Sequence, residues 1–380
     1  MSVKKKGCTH GVLVLTTKDV WLREPFMALG DFIPTVGLVV KESPWRWLCN
    51  KKIKYKNKFK EWEFTFPNYT FSKFYKFFYF ILFFYFKKLV GDPKVVVFTY
   101  PDYFFVAKFF KKSKKIYYVA DDFSLAYGYP TKWLQKCEKN MISNVDDVVV
   151  VTDVIKERFV KYYKVDPTRI HIVSNAVRAS MIPASFSPHS SSMLPCPIPS
   201  HFRPLAGVAG TIDPPRINLA WLGDVVKRVE WLYWVFVGPV GKFDDPADQK
   251  YLEFLMNSPR CCFIGWQPYD ELGKYAAAFD IGVIPYSDKG INPTTLPVRF
   301  FTQLPYGQPI LASYISPALL KYVPLLKLCK TVEDFEREVN FLKINKFDDG
   351  LRKQRWEFSK KNTWSCRAQQ LYKIMQRDSI

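Results

Sequence analysis

The sequence predicts an α/β protein made of two doubly wound domains. Its 380 residues exceed what one hydrophobic core usually serves. Short β-branched apolar runs alternate with helical segments in both halves, which is the pattern of strand–helix–strand units. A stretch rich in Pro and Ser separates the halves. We therefore expect an N-terminal domain over 1–180, a linker over 181–203 and a C-terminal domain over 204–350. The last segment, 351–380, is expected to pack back on the N-terminal domain as a helix.

The N-terminal half contains apolar runs that are typical of parallel strands buried on both faces. They are VLVL (12–15), VGLVV (36–40), KVVVF (94–98), KIYYV (115–119), DVVVV (147–151) and IHIV (170–173). Helical segments at 129–145 and 153–163 separate the later runs. This order predicts one doubly wound sheet.

The same pattern restarts after the predicted linker. Strands are expected at 204–212, 232–238, 261–265, 280–286, 308–313 and 325–329, and helices at 217–229, 245–257, 269–279, 294–307 and 364–376. Ligands of open α/β sheets bind at the carboxyl ends of the strands. We therefore expect the functional site in a cleft between the two domains.

Two adjacent carboxylates follow one predicted strand, in the stretch YYVADDFSLAYG (117–128). Asp121 and Asp122 lie where an α/β sheet usually carries its chemistry. The alternative is that an Asp at this point caps a following helix. For the pair, Asp122 could cap while Asp121 faces the cleft.

Charge and cysteine usage limit the classes of partner. The net charge of +21 favours something anionic: nucleic acid, an anionic membrane surface or phosphorylated small molecules. The eight cysteines form no C-x-x-C pair and the four histidines do not cluster with them, so no zinc site is expected. Scattered thiols suit a reducing compartment, and we expect a cytoplasmic protein. The apolar run near the N-terminus is too short for a signal peptide.

A basic and aromatic insert occupies about 51–90. It opens with six lysines in ten residues and then becomes dense in Phe and Tyr. Three interpretations stay open: a buried helix with solvated lysines, peripheral contact with an anionic membrane, and stacking on single-stranded nucleic acid. The most apolar run, 77–86, is too short to cross a bilayer as a helix.

Five stretches together resemble the GT-B glycosyltransferases of family 4, also called the group 1 type, including the xanthan glucuronosyltransferase type. They are 117–128, 148–177, 206–241, 262–286 and 296–313, in the family's order and spacing. The resemblance implies two Rossmann-like domains facing a central cleft. It also implies transfer of a sugar from a nucleotide diphosphate sugar, as co-substrate, to a hydroxyl of a glycan or lipid-linked acceptor. No active-site metal and no other cofactor are expected.

The resemblance assigns roles to individual residues. The family's catalytic acid maps onto Asp121, as the base for the acceptor hydroxyl, with Asp122 beside it. A base at this point implies inversion at the sugar; an enzyme that retains configuration would use Asp121 to orient the sugar or the acceptor. The diphosphate would be held by Arg299 and the turn at Gly210 and Thr211, with Arg216 as a weaker candidate.

Other family positions map onto donor contacts. Phe263, Gly265 and Trp266 lie where the nucleobase is bound, and Tyr286 ends a strand toward the donor. The sequence departs from the family at two usual glutamates, eight positions apart, of which the second binds ribose. The residues here are Thr294 and Thr302. A neutral Thr302, or the neighbouring Gln303, could still hydrogen-bond a ribose hydroxyl.

Three rival functions remain open at this stage. One is a nucleotide-sugar-processing enzyme of the same fold, although the lysine motif of a pyridoxal-dependent phosphorylase is not found. The second is a basic nucleic-acid-binding protein, which would bind in a salt-sensitive way; nucleic acid is not the partner we expect. The third is a degenerate GT-B module that only binds sugar, a reading that Thr294 and Thr302 keep open.

Overall fold

The computed structural model describes residues 11–16, 20–42, 50–54, 58–66, 84, 91–125, 131–186, 195 and 197–377. The chain forms two compact units. The first comprises Met1–Ser174 and Trp364–Ile380, and the second comprises Asn175–Thr363. Each unit contains one sheet with flanking helices, and the strand orders are those of doubly wound folds. The predicted fold class is therefore confirmed.

The first unit contains an eight-stranded sheet with the order β3-β4-β2-β1-β5-β6-β7-β8. Its strands are β1 (Val12–Thr16), β2 (Thr35–Glu42), β3 (Asn50–Lys54), β4 (Phe59–Phe66), β5 (Val95–Phe98), β6 (Lys114–Val119), β7 (Asp147–Val150) and β8 (Ile170–Ile172). All neighbouring pairs are parallel except β3 with β4. All six strands predicted for this half are present.

Among the described residues, three α-helices connect these strands: α1 (Val20–Leu29), α2 (Thr131–Ile142) and α3 (Asp153–Tyr163). Helix α3 begins where the Thr152 hydroxyl accepts from the N–H of Ile155. The central strands are buried on both faces; Tyr117 and Tyr118, neighbours on β6, are each at most 1% exposed. This burial explains the unbroken apolar runs of the sequence.

The predicted insert at 51–90 opens as strands rather than as a helix. Strands β3 and β4 form an antiparallel pair at one edge of the sheet. Glu61 on β4 is buried and forms an ion pair with Arg23 on α1, with 2.7 Å between Nη1 and Oε2. The aromatic run that follows β4 lies outside the described residues, apart from Phe84, so its three interpretations stay predictions.

The second unit contains a six-stranded parallel sheet with the order β11-β10-β9-β12-β13-β14. The strands are β9 (Leu205–Ala209), β10 (Tyr233–Val237), β11 (Cys261–Gly265), β12 (Ile281–Ile284), β13 (Ile310–Ala312) and β14 (Lys327–Leu328). Its helices are α4 (Leu219–Arg228), α5 (Pro246–Asn257), α6 (Leu272–Ala276), α7 (Val298–Gln303), α8 (Val332–Ile344) and α9 (Arg352–Lys361).

The ends of the two units differ from the predicted domain bounds. Residues 175–203 belong to the second unit, and Ile198 and Phe202 are buried in its core beside Leu205. Helix α9, inside the predicted final segment, also belongs to the second unit, where the Arg355 guanidinium donates to the carbonyl of Leu325. The Pro- and Ser-rich stretch is therefore only in part a linker.

The final helix, α10 (Trp364–Met375), returns to the first unit. Leu371 and Ile374 are buried in the core of that unit, and Lys114 Nζ donates to the Ile374 carbonyl at 2.9 Å. Within the described part of the chain, no helix has the length and apolar character needed to cross a membrane.

Candidate active site

The carboxyl edge of the first sheet carries the two predicted acids. Asp121 and Asp122 follow β6 directly. Asp121 is half-buried, whereas Asp122 is fully buried. The two neighbours therefore have different access to a ligand.

Asp122 is held on both of its carboxylate oxygens. Oδ1 accepts from the Ser124 hydroxyl at 2.6 Å and from the Ser124 N–H at 3.2 Å. Oδ2 forms an ion pair with Arg158 Nε at 2.9 Å. The Asp122 side chain thus closes a turn after β6 and ties that turn to α3. This geometry is of the capping type, extended by an ion pair.

Arg158 lies between two buried carboxylates. Its Nη2 is 2.9 Å from Glu138 Oε2, on α2, and its Nε contacts Asp122. Glu138 also accepts from the hydroxyls of Tyr163 and Tyr117, at 2.6 and 3.2 Å. Burial opposes the charge on Arg158, but Glu138 and Asp122 outweigh it and raise the pKa of Arg158. Burial raises the pKa of Glu138, with Arg158 opposing.

The carboxyl edge of the second sheet contains the predicted Gly210 turn. Gly210 adopts φ +111°, a conformation that L side chains rarely adopt. Its N–H donates to the Val237 carbonyl at 2.8 Å, and the N–H of Ile212 donates to the Pro239 carbonyl at 3.0 Å. The N–H of Thr211, between them, has no acceptor among the described residues. Of the two residues predicted to bind an anion at this turn, Thr211 therefore has the backbone N–H that is still available.

Arg299, on α7, reaches the same turn. Its Nη2 donates to the Thr211 carbonyl at 2.8 Å, and its guanidinium carbon lies 4.8 Å from the ring centre of Tyr286. Arg299 is 6% exposed, and its Nη1 is buried without a hydrogen-bond partner. No described carboxylate forms an ion pair with it. Burial lowers the pKa of Arg299, which Tyr286 opposes and Arg216 reinforces.

Arg216 lies in the loop after the same turn, in a different environment. Its Nε is 3.6 Å from Asp213 Oδ1, and both side chains are about one-third exposed. The Arg216 carbonyl accepts from the Ser287 N–H and from the Asn292 side-chain amide, each at 2.9 Å. These bonds tie the loop after β9 to the loop after β12. Asp213 and Asn292 were not predicted, because nothing in the local sequence marks them.

Comparisons with known proteins match this arrangement. The sequence profile of Glycosyltransferase Family 4 matches residues 55–180. A relative is "Putative teichuronic acid biosynthesis glycosyltransferase TuaH" of Bacillus subtilis (strain 168), 19% identical over 303 residues, which are 74% of this chain and 72% of the relative. The profile match and the relative support a GT-B glycosyltransferase of the family 4 type.

Solved structures share the fold of this glycosyltransferase at low sequence identity. Sucrose-phosphate synthase from Thermosynechococcus elongatus superposes with a TM-score of 0.75 at 13% identity, over 96% of this chain and 98% of that one. HepE of Anabaena, in complex with UDP and glucose, gives 0.71 at 10% identity, over 97% and 100% of the two chains. The predicted GT-B fold and enzyme class are confirmed.

The residues at the family's glutamate positions are tied to the backbone of the glycosyltransferase. The Thr302 hydroxyl donates to the Val298 carbonyl at 3.2 Å inside α7, and the Thr294 hydroxyl donates to the Ile291 carbonyl at 3.0 Å. Gln303 is fully buried and packs against Gly282 of β12. Gln303 therefore lies in the interior of the sheet layer, which does not fit its predicted contact with ribose.

The three residues predicted to meet the nucleobase lie at the end of β11. The rings of Phe263 and Phe236 stack with centres 4.4 Å apart, so Phe263 packs on the sheet. Gly265 adopts φ +75° with open space where a Cβ would lie. Trp266 is 69% exposed. Of the three, the Trp266 indole is the side chain most available for stacking.

The described part of the glycosyltransferase contains no group of three or more His, Cys, Asp or Glu residues that could hold a metal ion.

Gly210→Ala is expected to weaken donor binding by about tenfold or more. A Cβ at Gly210 would lie 3.1 Å from Arg299 Nη2, and φ +111° adds backbone strain of about 1–3 kcal/mol. Gly350→Ala is the matched control, because φ there is +76° and nothing lies within 4 Å of the added Cβ. Isothermal titration with the donor nucleotide should separate the two variants. Equal affinities would show that the Gly210 turn does not shape the donor site.

Proposed function

We propose that the enzyme transfers a sugar from a nucleoside diphosphate sugar to a hydroxyl of a glycan or glycolipid, with the diphosphate bound by Arg299. The observation that carries the donor site is the buried Arg299 guanidinium, whose Nη1 has no partner. Asp213 acts on Arg299 only through space, and a buried cation without an ion-pair partner is costly unless a ligand supplies the charge. The Thr211 N–H, beside it, adds a second donor for phosphate oxygens.

Asp121 is proposed as the base for the acceptor hydroxyl. Asp121 directly follows β6 and is half-buried. An acceptor hydroxyl can therefore reach its carboxylate, which is only partly hydrated. Asp122 is assigned a structural role, because both of its oxygens already have partners. A base at Asp121 implies inversion at the anomeric carbon. The anomeric configuration of the product, read by NMR, tests this against retention.

The acceptor is proposed to carry negative charge. Most of the net charge of +21 falls in the first unit, the one that carries Asp121. The relative in Bacillus subtilis is named for the biosynthesis of teichuronic acid, an acidic polymer. Positive potential would raise the local concentration of such an acceptor, and this effect falls with ionic strength. Contact with an anionic membrane through the insert would act in the same direction.

A thermal-shift screen tests the donor. UDP, GDP, ADP, CMP and their common sugar conjugates would be compared, with single-stranded DNA as a control. A ligand at about a hundred times its dissociation constant stabilises the native state by roughly 2.7 kcal/mol. We expect UDP to give the largest shift, since HepE of the same fold was solved with UDP and glucose. A response to DNA with none to any nucleotide would contradict the proposal.

The enzyme is expected to distinguish a ribonucleotide from its 2′-deoxy form by less than about tenfold. Thr302 and Thr294 place no carboxylate at the family's ribose position, and their hydroxyl protons are used in backbone bonds. A hydrogen bond to a charged group is worth about 1.5–3 kcal/mol, or roughly ten- to 150-fold. Dissociation constants of the best-binding nucleoside diphosphate and its 2′-deoxy analogue measure this. A preference above a hundredfold would mean that another charged group holds the ribose.

A further inference from the structure

We propose that Arg158 is a positioning residue for the transfer reaction, which fixes the turn that carries Asp121 by bridging Asp122 and Glu138. The inference rests on the proposed role of Asp121. Arg158 lies on α3, Glu138 on α2, and Asp122 directly after β6. A single guanidinium thus connects the end of β6 with α2 and α3, at the edge where the candidate base lies.

The contacts define the orientation of the guanidinium closely. Nε meets Asp122 Oδ2 and Nη2 meets Glu138 Oε2, both at 2.9 Å, while Nη1 lies 3.3 Å from the Ser124 hydroxyl. Nη1 and Nη2 donate hydrogen bonds, whereas Nε and Asp122 Oδ2 form an ion pair without the angle of a hydrogen bond. Its planar face lies 5.0 Å from the ring centre of Phe159. Lysine, a point charge on a flexible stem, cannot reproduce this set of contacts.

The turn is fixed at both of its ends. The Asp122 carbonyl accepts from the Leu125 N–H at 3.0 Å, and the Asp122 side chain accepts from Ser124. Asp121 is one peptide away, so its Cα can move only with that of Asp122. A displacement of about 1 Å of a catalytic group can cost a hundredfold in rate. Loss of Arg158 should therefore displace Asp121 and lower kcat.

Tyr117 and Tyr163 complete the far side of the network. Their hydroxyls donate to Glu138, so the carboxylate that pairs with Arg158 is itself held by two hydrogen bonds. The arrangement supplies the buried Glu138 carboxylate with a cation whose own side chain is 18% exposed. It also predicts that Glu138→Gln, which keeps the shape and removes the charge, weakens the hold on Arg158 without removing it.

The test compares Arg158→Gln with Arg169→Gln in the full-length enzyme. Arg169 is a control of the same kind: it belongs to the first unit, is half-buried, and donates to the carbonyls of Val145 and Asp146 rather than to carboxylates. Arg158→Gln should lower kcat by ten- to a hundredfold, with the donor KM within a factor of two. Arg169→Gln should leave kcat within a factor of two, although it also loses stability.

Two further variants keep the proposal testable if Arg158→Gln folds poorly. Compared with Arg158→Gln, Arg158→Lys should recover more of the wild-type stability than of the wild-type kcat, because lysine keeps the charge and loses the planar geometry. Ser124→Ala removes one partner of Asp122 and should lower kcat about threefold to tenfold. An unchanged kcat in Ser124→Ala and in Arg158→Lys would overturn the proposal. So would equal kcat losses in Arg158→Gln and Arg169→Gln.

The outcome is separable from that of the proposed function. If Asp121→Asn keeps full activity, the role of Asp121 fails and the positioning role fails with it. If Asp121→Asn is inactive and the Arg158 variants turn over normally, the positioning role alone fails.

Discussion

Arg299→Met is expected to weaken donor binding by roughly thirtyfold or more while leaving the protein at least as stable as the wild type. The guanidinium is 6% exposed and meets no carboxylate in the described residues, so its burial costs free energy in the absence of a ligand. Met keeps much of the side-chain volume without the charge. Loss of the guanidinium should weaken the complex with the donor by about 2–4 kcal/mol, or roughly thirtyfold to a thousandfold in the dissociation constant.

The stability readout makes this prediction specific. Removing an arginine from a buried ion pair usually destabilises the protein, because the other charge is left buried without a partner. Arg299 lacks such a partner, and its bond to the Thr211 carbonyl is at a half-open turn where water can replace it. The melting temperature of Arg299→Met should therefore be unchanged or raised.

Arg260→Met is the matched control for this variant. Arg260 is another arginine of the second unit, and it donates to the carbonyls of Val229 and Val226 at the end of α4. Its removal should lower the melting temperature and leave donor affinity unchanged. If calorimetry gave wild-type donor affinity for Arg299→Met, the diphosphate would not be bound by Arg299.

Asp121→Asn is expected to lower kcat by about a hundredfold to ten-thousandfold, with the donor dissociation constant unchanged. Asn has the same shape as Asp and cannot take the acceptor proton, and general base catalysis is typically worth this much. The proposed donor residues Thr211 and Arg299 belong to the second unit, so donor affinity serves as an internal reference. Turnover with a saturating donor, together with nucleotide affinity, measures both quantities.

Asp122→Asn should instead act mainly on the stability of the protein. The substitution removes the carboxylate that pairs with Arg158 inside the first unit, and breaking a buried pair costs about 3–5 kcal/mol. We expect a lower free energy of unfolding and, at a temperature where the variant is folded, a kcat loss smaller than that of Asp121→Asn. A full kcat in Asp121→Asn with a large loss in Asp122→Asn would reverse the assignment of the two acids.

The strands and the position of the two acids could be predicted from the sequence because they depend on local patterns. An apolar run such as KVVVF needs burial on both faces, and this makes a central parallel strand. Asp121 follows such a run, so its place at the carboxyl edge needs only the strand assignment. Gly307 ends the short helical segment that follows α7, at φ +76°.

The contacts that give these positions their roles could not be predicted in the same way. Glu138 and Arg158 meet Asp122 from two helices, and the sequence marks neither as a partner. Gln303 is adjacent to Thr302 on α7, but one step along a helix turns a side chain by about 100°, so Gln303 faces β12 instead. Which N–H groups of the Gly210 turn are already used depends on β10, a separate strand.

The placement of α10 has a consequence for synthesis on the ribosome. Residues 1–174 emerge first, but Leu371 and Ile374, which complete the core of that unit, are made only after the whole of 175–363. At about 5–20 residues per second, the interval is roughly 10–40 s. During that time the surface of α1 that α10 later contacts lacks its native cover. The core of the first unit is therefore completed only after the second unit has been translated, although its strands are translated first.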